Sequence, residues 1–314
     1  MTPLVSIIIP TYNRALLLRR ALQSVVDQTY PHWEALVVDN HSRDETDDVV
    51  AGFGDDRIHL LKIHNHGVIA ASRNMGLEQA KGEWAAFLDS DDAWYPKKLE
   101  VLMGALDANG DYEVLSNDEL IVFTETGSRK ILRYGPFKQN FYRTLLVGGN
   151  RLSPSATLVQ REFLARHQLA FAEGTDYVTV EDYGLWLDLA RRGARFKFLR
   201  NVEGEFVIHG ENSSGQHQQH AENNEALLRD HVFNIQQFEP RPNRLWKLVS
   251  ARLRFAKVRQ LVKDRKVVSA LKLAVGTSIT SPRGTAMHLW SVLKRRFREM
   301  RTWLMLKTGR IDLP

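Results

Sequence analysis

The sequence predicts an α/β fold over residues 1–240 and a basic amphipathic helical tail over 241–314. Three observations carry this. Short β-rich runs alternate with helical stretches from residue 4 to residue 110. Those runs are continuously apolar, the pattern of parallel strands covered on both faces by helices. The charge is split: residues 244–314 hold 18 Lys and Arg against three acids, a net +15, whereas 1–243 hold 25 bases and 34 acids, a net −9. Parts of opposite charge are expected to do different work.

At 314 residues, 43% apolar and 25% charged, the chain has ordinary globular usage and room for a sizeable core. Collagen-like, low-complexity and wholly disordered classes are excluded. The absence of cysteine excludes a disulfide scaffold, a thiolate metal site and a cysteine nucleophile. The start has no basic region before its short apolar run, which ends at Pro10 and reads as a strand rather than a signal peptide. No stretch of about 18 apolar residues is present to span a bilayer. The cytoplasm is therefore the expected location.

Each element follows in order. Residues 5–9 form an apolar strand. Residues 15–27 are helical, with Leu18, Leu22 and Val25 at spacings of three and four. Strands are expected over 33–38 and 58–63, separated by a short helix over 44–52. A helix over 70–80 leads to a strand over 84–88, and a further helix covers 96–106. Residues 114–124 and 129–134 read as a hairpin around Glu125-Thr126-Gly127-Ser128. Further strands are expected at 156–159 and 196–199, and an amphipathic helix over 181–192 closed by Gly193. Residues 210–219 read as a polar loop. From 244 to 306 the chain is helical, with stripes Leu248, Ala251, Phe255, Val258, Val262 and Leu289, Leu293, Phe297, Met300, Leu304.

In parallel sheets, ligands sit beyond the carboxyl ends of the strands. Here those ends are Thr11-Tyr12-Asn13, Asp39-Asn40 and Asp89-Ser90-Asp91. The last belongs to Phe87-Leu88-Asp89-Ser90-Asp91-Asp92, three carboxylates within four residues. Such acids repel unless a cation compensates, and hard oxygen ligands suit Mg²⁺ or Mn²⁺, which also bind phosphates. Alone, the motif also describes a solvated turn whose Asp92 caps the next helix.

The motifs in order decide between these. They are Pro10-Thr11-Tyr12-Asn13-Arg14, Val38-Asp39-Asn40-His41-Ser42 with Asp44 and Thr46, and Asn65 with Gly67. Next come Ser72-Arg73-Asn74 with Gly76, Gly82-Glu83 and the acidic run, then Val180-Glu181-Asp182-Tyr183 with Leu185-Trp186-Leu187, and Ile208-His209 with Asn212-Ser213-Ser214. Over roughly residues 4–214 this order resembles the family 2 inverting glycosyltransferases of the GT-A fold, a Rossmann-like nucleotide-sugar-binding domain.

The resemblance implies roles at matching positions. Thr11, Tyr12 and Asp39 would line the base and ribose of a nucleotide-sugar donor, a UDP-sugar above others, with Arg73 near the nucleotide and Ser90 in the same binding set. Asp89 and Asp91 match the metal-binding motif for Mn²⁺ or Mg²⁺, Asp91 as direct ligand, and His209 a histidine near the donor phosphates. Asp182 matches the catalytic base. The family often has two acids followed by Gly-Ser, whereas this chain has Asp39-Asn40-His41-Ser42, so Asn40 would read the base with an amide. The implied reaction is inverting, metal-dependent sugar transfer to a glycan or lipid-linked acceptor in surface polysaccharide or glycoconjugate synthesis. A catalytically silent binding module and a sugar nucleotidyltransferase are the alternatives.

Structural readings stand beside these roles. Asp44 and Thr46 are expected to cap a helix, and Asn74 and Gly76 to shape a helix start and its packing. Glu181 is a support or acceptor contact, His217 and His220 belong to a polar loop, and Trp94 and Trp186 to the core. The tail has three readings: helices packed on the domain, nucleic-acid binding by charge, or an in-plane helix on an anionic membrane. The last joins the apolar stripes to Lys294, Arg295, Arg296, Arg298 and Arg301, with Trp290 and Trp303 at the interface. It gives the expectation of a peripheral protein at the inner face of the cytoplasmic membrane, with no nucleic-acid partner.

Overall fold

The computed structural model describes residues 2–106, 112–209 and 217–307, with backbone alone at 217, 295, 296 and 298–307. The expected loop 210–216 lies outside the described residues, as do the side chains of Arg295, Arg296, Arg298, Met300, Arg301, Trp303 and Leu304.

The chain divides into two compact units: Met1–Tyr142 with Asn150–Asn223, and Arg143–Gly149 with Asn224–Pro314. The helical unit thus begins earlier than residue 241 and draws in an excursion from the middle of the chain.

The first unit is built on a mixed sheet. Its strands are β1 (Val5–Thr11), β2 (Trp33–Asp39), β3 (Ile58–Lys62), β4 (Trp84–Phe87), β5 (Ala93–Trp94), β6 (Val114–Phe123), β7 (Arg129–Leu132), β8 (Thr157–Gln160) and β9 (Phe196–Ile208). The order is β3-β2-β1-β4-β8-β6-β9-β5, with β7 hairpinned onto β6. Strands β1 to β4 are parallel, as their apolar runs predict, and β8 joins β4 antiparallel. β6 and β9 run parallel with register shifts between Ser116 and Leu120.

Helices cover both faces. α1 (Ala15–Val26) and α4 (Lys98–Gly104) share a core with Val5, Ile7 and Ile9 of β1, through Leu18, Leu22, Val25, Leu99 and Leu102. Full burial of each such aliphatic side chain contributes about 1.5–3 kcal/mol. On the opposite face, α3 (Ile69–Gln79) packs on β1 so closely that a Cβ on Gly76 would lie 2.5 Å from the Ile8 side chain. That bears out Gly76 as a packing residue. α2 (Thr46–Ala51), α6 (Arg161–His167) and α7 (Glu181–Arg191) complete the connections, while α5 (Phe141–Gly148) lies almost wholly in the excursion assigned to the second unit. Trp186 packs with Phe87 and Phe171, and Trp94 is also buried, so both tryptophans are core residues.

α8 (His217–Asp230) starts inside the stretch read as a loop over 210–219, which corrects that expectation at 217–219. His220 has its Nδ1 3.1 Å from the Thr179 carbonyl oxygen and so anchors the start of the helix. In the second unit, α9 (Pro242–Lys263), α10 (Val267–Thr280) and α11 (Pro282–Lys307) form a helical array. The expected stripe of α9 is shifted: Leu245, Val249 and Ala251 are buried, whereas Val262 is exposed.

Candidate active site

The carboxyl ends of β1 and β2 are locked to each other by two left-handed residues, Asn13 and His41. The Asn13 backbone N–H donates to Ser42 Oγ (2.8 Å), and Asn13 Oδ1 accepts the Arg43 N–H (2.8 Å). Asp44 accepts the Ala15 N–H at the start of α1 (2.8 Å) and the Thr46 hydroxyl (2.6 Å), so it ties the starts of two helices together, although Arg14 and Glu45, not Asp44 or Thr46, hold the N-cap positions. Asn tolerates the left-handed region better than most residues, which explains its place in the first turn.

On this frame sit the nucleotide-site candidates. Thr11 Oγ1 is buried with no hydrogen-bond partner among the described residues, and Tyr12 is half-exposed beside it. Asn40 Oδ1 accepts the Asn65 N–H (2.9 Å). Asp39 lies at the base of the same turn. It is wholly buried, accepting from the Ser42 N–H and hydroxyl and from Lys62 Nζ (2.8 Å). Both carboxylate oxygens are thus engaged within the turn and with Lys62.

The acidic run divides into three environments. Asp91 Oδ2 lies 2.7 Å from Arg14 Nη1 and 3.0 Å from His209 Nε2. Asp89 turns away to Arg73 (2.7 Å). Among the described residues Asp89, Asp91 and His209 form no three-residue cluster, since Asp89 pairs with the Arg73 guanidinium while Asp91 lies beside His209. Ser90 is buried between the two acids. Asp92 is also buried. It caps no helix, and accepts from Ser155 Oγ (2.5 Å) and the Val207 N–H (2.9 Å). Burial, with Glu119 and the neighbouring aspartates, pushes its carboxyl well above the usual range.

Arg73 is 2% exposed and joins two parts of the site. Its second amino group donates to Glu181 (2.8 Å) at the start of α7, and its plane lies against Phe171. Burial alone would weaken its charge, but Asp89 and Glu181 hold it protonated. Beside Glu181, Asp182 accepts from Asn150 Nδ2 (3.1 Å) and is partly exposed. Burial first, then the Glu181 charge, pushes its carboxyl up to about 7 against the pull of Arg73. A carboxyl at that level is a usable base near neutral pH.

A family model described as "Glycosyl transferase family 2" matches residues 6–167, just over half the chain. The chain belongs to that family. Among curated relatives it is 44% identical over 100 residues to the putative teichuronic acid biosynthesis glycosyltransferase TuaG of Bacillus subtilis, covering 31% of this chain and 40% of the relative. It is 40% identical over 124 residues to the UDP-Glc:alpha-D-GlcNAc-diphosphoundecaprenol beta-1,3-glucosyltransferase WfgD of Escherichia coli, covering 38% and 49%. These matches thus span less than half of either relative. Among solved structures, S. aureus TarS 1–349 in complex with UDP aligns with a TM-score of 0.60 at 21% identity, covering 79% of this chain and 71% of that one. The Pyrobaculum calidifontis mannosyltransferase PcManGT in complex with GDP-Man and Mn²⁺ aligns at 0.59 and 20%, covering 98% and 85%. At these identities the likeness shows the GT-A fold.

Within this family 2 domain, three contributors escaped the sequence reading. Arg14 was quoted in a motif without a role, yet it pairs with Asp91. Asn150, which steadies Asp182, stands in a segment with no readable pattern. Lys98, fully buried, donates to Asn117 Oδ1 (2.5 Å) and the Ser155 carbonyl (2.9 Å) beneath the acidic turn. Burial pushes its ammonium down to about 8, although Glu119, Glu203 and Asp92 oppose this. No sequence signal separates such a lysine from a surface one.

Proposed function

We propose that this chain transfers one sugar, with inversion, from a nucleoside-diphosphate donor to a glycan or lipid-linked acceptor in surface polysaccharide synthesis. The observation that carries it is the single guanidinium of Arg73, which pairs with Asp89 on one side and with Glu181, the neighbour of Asp182, on the other. The acidic turn and the candidate base would thus act side by side.

Thr11, Tyr12 and Asn40 would receive the base. The unpartnered Thr11 hydroxyl and the amide NH₂ of Asn40 are donors suited to carbonyls of a pyrimidine, which favours a UDP-sugar. Asp91 and His209 are an oxygen and a nitrogen donor already side by side, a pair that fits Mn²⁺ or Mg²⁺ with substrate phosphates completing the shell. Bound there, the ion would neutralise charge on the departing diphosphate. Arg14 adds a second cation at the same carboxylate.

Asp182, held by Asn150 and the Tyr183 N–H, would accept the proton of the acceptor hydroxyl as its oxygen bonds to the anomeric carbon. The bond from that carbon to the donor phosphate breaks, and the nucleoside diphosphate leaves with the electron pair. Displacement from the opposite face inverts the centre. Names of relatives such as WfgD support a lipid-linked acceptor and hence a peripheral position at the cytoplasmic face of a membrane.

A thermal-shift series with UDP, dTDP and GDP, each with and without Mn²⁺, tests the reading. UDP with Mn²⁺ is expected to raise Tm most, since a ligand at 100 times its Kd stabilises by about 2.7 kcal/mol. No nucleotide response would dismiss it, and pyrophosphate rather than UDP as product would replace it with nucleotidyl transfer.

A further inference from the structure

The second unit contains helices built inside out. α10 turns its small residues Ala270 and Thr277 inward and leaves Val268, Leu271, Val275 and Ile279 on the outside, Ile279 at 76% exposure. α11 repeats the pattern. Just before it Ser281 donates its hydroxyl to the Lys247 carbonyl of α9, and a Cβ on Gly284 would sit 2.6 Å from the Ala251 Cβ, while Leu289, Trp290, Leu293 and Phe297 are exposed. A helix on a water-facing surface hides its large apolar residues and shows polar ones. Here the large residues at spacings of three and four lie on the side away from the protein. Contiguous exposed apolar faces of this kind mark interaction sites.

We propose that the outer faces of α10 and α11 are a docking surface that lies in plane on an anionic lipid bilayer. It deepens the peripheral-membrane reading above and rests on it. Charge selects the occupant. The region from 244 to 314 carries 18 bases against three acids, so the same face of a second copy would set like charge against like, whereas acidic headgroups complement it. Lys272 is the one charged residue of α10. Lys294 lies with Nζ 5.0 Å from the Trp290 ring centroid, an ammonium and an indole grouped as the headgroup layer accommodates them. No described helix is long and apolar enough to cross a membrane, so in-plane binding is the mode that fits.

The experiment is sedimentation of the full chain with phosphatidylglycerol–phosphatidylcholine vesicles and with phosphatidylcholine vesicles, without donor or acceptor. Binding is expected to be at least about tenfold stronger to the anionic vesicles and to fall at high salt. The double variant Leu271→Asp/Leu293→Asp should lose about tenfold or more in binding. Lys272→Glu/Lys294→Glu, which spares the apolar face, should lose a smaller factor. Both pairs are exposed, and unchanged UDP–Mn²⁺ thermal shifts would show that the fold is intact. If wild type binds and the Asp variant binds equally well, this face is not the docking surface, although peripheral binding stands. If wild type ignores anionic vesicles, both readings fail. If instead wild type dimerises in light scattering and the Asp variant does not, a second copy is the occupant and the proposal is overturned.

Discussion

At the scale of single residues, variants of Asp182 and Asp91 test the proposed base and the proposed donor-side ligand separately. Asp182→Asn keeps the shape but cannot accept a proton at neutral pH. Transfer is expected to fall by about 10²–10⁴ with UDP–Mn²⁺ affinity retained, as calorimetry and turnover on a soluble acceptor would show. With the carboxyl pushed up to about 7, kcat/KM should rise through neutral pH and drop about tenfold per unit below it. Stability has the opposite sign. A carboxyl raised in the folded state binds more protons there than when unfolded. Wild type therefore loses stability as pH climbs from about 4 to 7, and Asp182→Asn should be the more stable protein at pH 8 in urea titrations. Asp91→Ala is expected to weaken metal-dependent nucleotide binding and turnover together, and unchanged calorimetric affinity with Mn²⁺ would remove Asp91 from the donor site. The motif residues at strand ends were legible through their order along the chain, which resembles that of family 2 glycosyltransferases. Arg14 and Asn150 were not, because they reach their partners across 77 and 32 positions, and no local pattern encodes such a distance.

At the scale of elements, continuous apolar runs gave β1 to β4, three/four spacing gave α1, and an amphipathic pattern gave α7. β9 was read only over 196–199. Its later half carries Arg200, Asn201, Glu203 and Glu205, which serve the register shift against β6 and the pairing with β5. A strand that changes partner loses its hydrophobic rhythm. The two-residue β5 is held by that pairing and has no signal of its own. The α3–β1 contact can be tested directly. Gly76→Val would force atoms into the space of the fully buried Ile8 side chain, where overpacking costs about 1–3 kcal/mol and exceeds the helix propensity gained. A lower urea midpoint with an unchanged m-value is the expected result.

At the scale of the whole molecule, the charge division seen in the sequence falls close to a division into compact units. What the sequence did not show is that the excursion Arg143–Gly149 belongs to the second unit. Gly149 lies against Arg252, about a hundred residues on. Hydrogen exchange should follow the division: amides of β1, β2 and β4 slowest, those of α10 and α11 faster, and the latter slowed when anionic vesicles are added. Equal protection with and without vesicles would contradict the proposed surface. The sheet order has a consequence for the nascent chain. β4 ends at Phe87, yet its antiparallel neighbour begins only at Thr157, so roughly 70 further residues must be made first. At ribosomal speeds of about 5–20 residues per second, a fully apolar strand edge waits for about 4–14 seconds. During synthesis that edge is the place where a holding chaperone, or another unfinished chain, would find this protein.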